Sequence, residues 1–475
     1  MIKFSLVMLF VAATIQLAGQ ENGFNCFTVV AGKAATSDGS VLVAHNEDDY
    51  GLQLVNFYRV PPKPAGTITY TKNNAPVSRT EDSWSYLWLE MPGMDFSDCF
   101  LNAKGVLVVS NQCTSREDDP KLSEGGITYL LRSQVAAYAR NARHGVKIAT
   151  ALLERFGYNS PGRTYTIADS EEAWILAVVN GKHYAAARVP DDKVAVIPNY
   201  YTLTSINTAD TLNYIISPDL ISYAQQRGWY NPETGAEFNF RESYGSPESL
   251  IHPVNTGRMW RGVSVLSGET FDLTDAFPTF FQPEKLISLQ TLMHLLRDHY
   301  EGTEKATSTA GSPHAQEGTI CASHTQYGLI AQLRSNLPVE IGSVLWVAMR
   351  RPCTQAFIPW YAGITAIPNG FNKYDYLWAE KNHSHPEEGT WDRIPVHAGF
   401  TFADFADFVD ENYTFRQNEA LRKALKTESK FIKNQNKTEK KLLHLYKKNK
   451  SKFYTEINWI TAKGTAKTIN NSLIK

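Results

Sequence analysis

The stretch that most constrains this chain lies near its start. It runs Asn25-Cys26-Phe27-Thr28-Val29-Val30-Ala31-Gly32, then through Asp38-Gly39-Ser40 to His45-Asn46-Glu47-Asp48. Phe27 to Ala31 is a run of β-formers, Ser37-Asp38-Gly39 a turn signal, and Ser40 to Ala44 a second β run. Two such runs around a glycine-containing turn predict a hairpin. A hairpin returns the end of its second strand to the start of its first, so His45, Asn46 and Asp48 are delivered beside Cys26. Upstream, Lys3, the apolar run Phe4 to Ala13 and the small residues at Leu17-Ala18-Gly19 read as a secretory leader. Cys26 is therefore expected close to the start of a mature chain. A thiol on a first residue sits beside a free α-amine, whose pKa of about 7.7–8.0 suits proton abstraction near neutral pH. One residue then supplies nucleophile and base. The plain alternative is a buried, inert cysteine, the usual role of that side chain.

The leader's apolar run is too short to span a membrane and no later stretch approaches the length of one. The expectation is a secreted, periplasmic or lumenal protein without a membrane span. Gln20 stands where a lipid-anchored cysteine would have to be. With 475 residues, 43% hydrophobic and 12% aromatic, the chain suits one large or two ordinary globular domains, and excludes a disordered or fibrous one. The net charge of −1 conceals an asymmetry: Arg422 to Lys452 carries 12 basic and 2 acidic residues, and the remainder 35 basic and 46 acidic. An acidic body favours a cationic group, such as a peptide's ammonium, over a nucleic acid. Of five cysteines, four remain once Cys26 is set aside. Cys99–Cys113 and Cys321–Cys353 are the nearest pairings, but order does not fix connectivity, and four reduced, buried thiols fit equally. No Cys-x-x-Cys or His-x-x-x-His spacing suggests zinc.

Further along, Asp98 to Asn102 and Val106 to Asn111 form a second predicted hairpin, and Gly126 to Tyr138 and Arg140 to Phe156 have helical spacing, the latter stopped by Gly157. Strands are expected at 164–167, 173–179 and 183–188, followed by the run 194–199, which ends on another Asn. Two helices after four strands fit a layered mixture of helix and sheet better than a pure β-sandwich. Asn418 to Lys448 reads as a Lys-rich amphipathic helix packed on the domain. No oligomeric state can be read.

The opening residues Cys26, Thr28, Gly32, Lys33, Ala35, Thr36, Asp38, Gly39, Ser40, Glu47 and Asp48 resemble the start of the dipeptidase A family. These are cysteine dipeptidases related to the secernins, within the N-terminal nucleophile hydrolase superfamily. Supporting likenesses lie at Asp169 to Trp174, Ala187 to Asp192, Asn255 to Arg261, Thr319 to Tyr327, Leu337 to Trp346 and Cys353 to Tyr361. The resemblance implies an α+β fold, the four-layer αββα sandwich, with a helical C-terminal extension. With the leader ending at its small-residue site and the composition changing at about Asn412, the expected division is a leader over 1–19, a short propeptide over 20–25, a hydrolase domain over 26–411 and the Lys-rich helical extension over 412–475.

The resemblance also implies a reaction, hydrolysis of dipeptides or small peptides without a metal or other cofactor. Cys26 attacks the scissile carbonyl, its own amine takes the thiol proton, Asp48 orients that amine, and Asn199 with Asn111 stabilises the oxyanion. The bond before Cys26 is expected to be cut by Cys26 itself or by another protease. For both Asn residues a turn or capping role is the alternative. His45 and Asn46 are placed at the substrate, as are Arg258 and Arg261, of which either suits a substrate carboxylate or a salt bridge. The family usually has arginine where this chain has His45, and a histidine is charged only part of the time near neutral pH. A Cys321/His324 dyad lacks a third partner. The rival functions are a non-peptide amidase of the same superfamily and a non-catalytic secreted binding protein.

Overall fold

The computed structural model describes residues 26–49, 53–92, 99–306, 311–315, 318–373, 375–383 and 397–474. The leader and propeptide expected over 1–25 lie outside them. The opening hairpin forms as expected, with strands Phe27–Ala31 and Val41–Asp48 in antiparallel register, Thr28 opposite His45 and Phe27 opposite Asn46. The second strand runs on through the polar cluster, and every residue of both strands is buried. Burial on both faces explains why their apolar residues run on instead of alternating with polar ones.

These strands sit inside a six-stranded antiparallel sheet, in the order Val194–Ile197, Phe27–Ala31, Val41–Asp48, Thr325–Leu333, Ser343–Met349, Ile358–Tyr361. A second, eight-stranded antiparallel sheet has the order Tyr214–Ile216, Tyr184–Arg188, Ala173–Gly181, Tyr158–Ala168, Leu107–Gln112, Cys99–Asn102, Tyr86–Glu90, Asn56–Val60. Alternation along each strand sends neighbouring side chains to opposite faces. Leu87, Leu89, Leu101, Leu107, Val109 and Ile175 pack in one core with Val30, Val43 and Leu329 of the six-stranded sheet. The alternate residues Trp88, Phe100, Val108, Ile167 and Trp174 instead meet helices Leu130–Tyr138 and Ala142–Phe156 through Leu131, Val135, Val146 and Leu153.

The other sheet's outer face is covered by helices Pro253–Ser267 and Leu289–Leu295. The result is helix, sheet, sheet, helix. One boundary differs from expectation. The first helix begins at Leu130 rather than near Gly126, because Gly125 and Gly126 both hold positive φ, 77° and 81°, and such a pair cannot continue a right-handed turn.

The C-terminal part is helical: Ala398–Glu411, Tyr413–Lys448 and Lys450–Asn471. Leu442, Phe453 and Ile457 share the core with Ile358 and Trp360. The two acids of the basic stretch, Glu428 and Glu439, both turn inward. Glu428 pairs with buried Arg297, and Glu439 meets Arg334 through two bonds of 2.8 and 2.6 Å. The lysines are thereby left to the outer face. No helix among the described residues is long and apolar enough to cross a membrane.

Candidate active site

Cys26 stands at the entry of the first strand, 2% exposed. Its thiol donates to Glu47 Oε1 at 3.0 Å. Glu47 Oε2 lies 3.1 Å from His45 Nε2 and 3.4 Å from the Tyr327 hydroxyl. His45 Nδ1 is 2.7 Å from Thr28 Oγ1, and the Thr28 hydroxyl donates to Asn111 Oδ1 at 2.6 Å. Asn111 Nδ2 donates to the Ile197 carbonyl at 3.0 Å. Cys26, Thr28, His45 and Glu47 therefore share the face turned to the eight-stranded sheet, and Asn111 reaches them from that sheet.

The chain of bonds fixes its own protons. The Ile197 carbonyl only accepts, so the Asn111 amide group faces it and the Asn111 oxygen faces Thr28. Thr28 has one hydrogen and gives it to Asn111, so it accepts from His45 Nδ1. The Glu47 carboxylate only accepts, so His45 Nε2 donates as well. Both ring nitrogens of His45 are donors in this arrangement, which makes it a cation at the place where the resemblance led us to expect arginine.

Burial would raise the Glu47 carboxyl, but the bond and charge of His45, with the thiol bond, outweigh it and hold Glu47 below the usual range. The Cys26 thiol is pushed well above its ordinary value, first by burial and then by the charges of Glu47 and Asp48. The Asp48 backbone N–H, directed at the sulfur, works the other way.

Asn46 and Asp48 point to the opposite face. Asp48 Oδ1 accepts from Thr325 Oγ1 at 2.5 Å, and Oδ2 is 3.0 Å from Arg258 Nη2. Arg258 is fully buried and also donates twice to the Thr319 carbonyl, at 2.9 and 2.7 Å. Asn46 Nδ2 bridges the carbonyls of Leu296 and Ile320. Arg261, one turn further along the helix, forks onto Asp298. Asn199 follows strand Val194–Ile197. Its Nδ2 donates to the Gln112 carbonyl at 2.9 Å, and its buried Oδ1 meets no donor among the described residues.

The eight residues singled out in sequence thus fall into separate places. Cys26, His45 and Asn111 join in one network, and Asp48 with Arg258 forms a second behind it. Asn46, Asn199 and Arg261 are each tied to other partners. Glu47, Thr28 and Thr325 were missed as site residues. One possible ligand atom from each of Cys26, His45 and Glu47 lies within 4.8 Å of the others, but with both His45 nitrogens donating the ring offers no lone pair to an ion in this arrangement. All five cysteines are free thiols, so neither nearest pairing forms. His324 contacts Ser323, while Cys321 lies beside His314.

The sequence profile of peptidase family C69 matches residues 101–384, more than half the chain. The chain belongs to peptidase family C69. The matched range begins beyond the opening hairpin, so it does not include Cys26. A "Probable dipeptidase" of Salmonella dublin is 27% identical over 384 residues, 77% of this C69 chain and 87% of its own. Another, from Latilactobacillus sakei, is 25% identical over 351 residues, 71% of this chain and 74% of its own. A solved penicillin V acylase from Agrobacterium tumefaciens aligns over 68% of this chain and 82% of its own, at 14% identity and a TM-score of 0.33, too low to bear on function.

Proposed function

We propose that this C69 peptidase is a cysteine dipeptidase whose nucleophile is Cys26, exposed as the first residue once the segment before it is removed. The observation that carries this reading is the Cys26 thiol, held 3.0 Å from an ionised Glu47 at a strand end between two sheets. In the unprocessed chain Glu47 is the base at hand. The sulfur attacks the Asn25 carbonyl, the thiol proton passes to Glu47, and the amide nitrogen leaves with a proton. That departure frees the Cys26 amine, and water then opens the thioester, releasing the preceding segment as a carboxylate and restoring the Cys26 thiol. In the processed chain that amine takes the thiol proton and returns it to the leaving amine of a dipeptide. Asp48, fixed by Arg258 and Thr325, orients the amine, and Asn199 donates its remaining N–H to the oxyanion. The leader supports a secreted, periplasmic or lumenal setting.

The test is terminal sequencing and intact mass of the purified protein, with dipeptide hydrolysis assayed beside Cys26→Ser. A chain starting at Cys26 that cleaves dipeptides, against an inactive Cys26→Ser, is expected. An active chain that retains residues before Cys26 would defeat the proposal.

A further inference from the structure

Away from the Cys26 network, four side chains from four separate stretches converge on one buried point. His299 follows helix Leu289–Leu295, His314 lies in the turn Pro313–Ala315, Cys321 precedes strand Thr325–Leu333, and Cys353 lies between the last two strands of the six-stranded sheet. The Nε2 atoms of His299 and His314 are 3.1 Å apart. His314 Nε2 is 3.5 Å from Cys353 Sγ and 3.9 Å from Cys321 Sγ. One atom from each of the four lies within 4.8 Å of the other three, and all four residues are buried.

The far sides of both rings are engaged. His299 Nδ1 is 2.8 Å from Glu301 Oε1, and His314 Nδ1 is 2.8 Å from Asp410 Oδ1. A carboxylate accepts, so each Nδ1 donates, and a neutral ring then turns its Nε2 lone pair inward. Two Nε2 atoms 3.1 Å apart, beside two thiols, are held together either by a shared proton or by a metal cation bound between them. The carboxylate-backed imidazole is also the arrangement that fixes the tautomer of a metal-ligating histidine.

We infer that His299, His314, Cys321 and Cys353 form a structural site for a thiophilic divalent ion, zinc by its chemistry. A tetrahedral zinc with bonds of about 2.0–2.1 Å to nitrogen and about 2.3 Å to sulfur has edges of about 3.4 Å (N–N) and about 3.6 Å (N–S). The N–N separation of 3.1 Å is slightly shorter than its edge, and the N–S separations of 3.5 and 3.9 Å fall on either side of theirs. Four protein ligands in a buried setting leave no open position, which marks a structural site and not a catalytic one. Binding releases the two thiol protons. The groove of about 710 Å³ lined by His299, Cys353 and Tyr413 gives an entry path.

The ion would hold in place the segment on which the Asp48 side of the candidate active site rests. Cys321 N–H donates to the Asp298 carbonyl. The residues just before Cys321 supply the Ile320 carbonyl to Asn46 and the Thr319 carbonyl to Arg258. Asp410 adds a tie to helix Ala398–Glu411 through His314 and Arg351.

The test is the metal content of the full chain, purified without chelator from zinc-supplemented medium, with intact mass measured alongside. One zinc ion per chain is expected in the wild type and in Cys26→Ser, falling to near none in Cys353→Ser and His314→Ala. Exchange into cobalt should give tetrahedral d–d bands with a thiolate charge-transfer band in the wild type, a reading that stands even if those variants fail to fold. A wild-type chain without zinc overturns the inference. So does the mass deficit of a Cys321–Cys353 disulfide, or zinc lost in Cys26→Ser but kept in Cys353→Ser, which would place the ion on Cys26, His45 and Glu47.

Discussion

The carboxylate 3.0 Å from the Cys26 sulfur works against thiolate, since Glu47 both accepts the thiol proton and adds negative charge beside it. His45, doubly donating, keeps Glu47 ionised and offsets part of that charge. Replacing Glu47 with glutamine keeps an acceptor and removes the charge, so the folded-state pKa of Cys26 should fall. Ultraviolet thiolate absorbance, taken as the difference from Cys26→Ser across a pH series, should show its midpoint moving to lower pH in Glu47→Gln. An unmoved midpoint would mean that burial and Asp48 set the thiol without Glu47. Glu47 was legible in principle. In the register that sets Thr28 opposite His45, the two-residue alternation puts His45 and Glu47 on the face of Cys26 and sends Asn46 and Asp48 to the other. Sequence reading by loop proximity missed this, because it treated the residues after Ala44 as a strand end, whereas the strand continues to Asp48.

At the scale of elements, helix Pro253–Ser267 is pressed onto the outer face of the opening hairpin through Gly262. A β-carbon there would stand 2.9 Å from Val196 Cγ1 and 3.0 Å from Phe27 Cζ, with Val196 Cγ2 at 3.1 Å. Gly262→Ala should therefore cost about 1–3 kcal/mol through overpacking, despite alanine's better helix propensity. Because Arg258 lies one turn away on the same helix, the ion pair with Asp48 should loosen too. Urea unfolding measures the first effect, and a gain in stability would show that the helix rides further from the sheet. The hairpins and both central helices were readable from periodicity and turn residues. The helix Pro253–Ser267 was read only as an arginine-bearing segment, because its Gly257 and Gly262 weaken the helical signal that packing then overrides. The His299, His314, Cys321 and Cys353 cluster left no local spacing to read. Its members come from separate stretches, and only the tertiary fold joins them.

Across the whole molecule, a buried polar relay joins the eight-stranded sheet to the C-terminal helices, and its two ends respond to pH in opposite senses. His397 caps helix Ala398–Glu411 by accepting from the Gly399 N–H on Nδ1, and its Nε2–H donates to Asn56 Oδ1 at 3.0 Å. Asn56 Nδ2 donates to Glu90 Oε2 at 2.7 Å. Burial, with help from the charge of Lys373, lowers His397 from 6.5 to about 4. Burial raises Glu90 from 4.5 to about 8, against the smaller opposing effects of Asn56 and Lys373. The unfolded histidine binds more protons than the folded one between those values. Its contribution is thus whole above about pH 6.5 and lost as the pH falls through 4. The folded Glu90 binds more protons than the unfolded one, so its contribution is whole below about pH 4.5 and lost as the pH rises through 8. Glutamine at Glu90 keeps the oxygen that Asn56 needs and cannot ionise. Relative to the wild type, Glu90→Gln should therefore gain stability steadily from pH 5 to 8, by up to roughly 4 kcal/mol at about 1.36 kcal/mol per pH unit. Urea unfolding at pH 5.5 and pH 8 reads the difference directly. Equal offsets at the two pH values would mean that Glu90 titrates normally and that the relay carries no linkage.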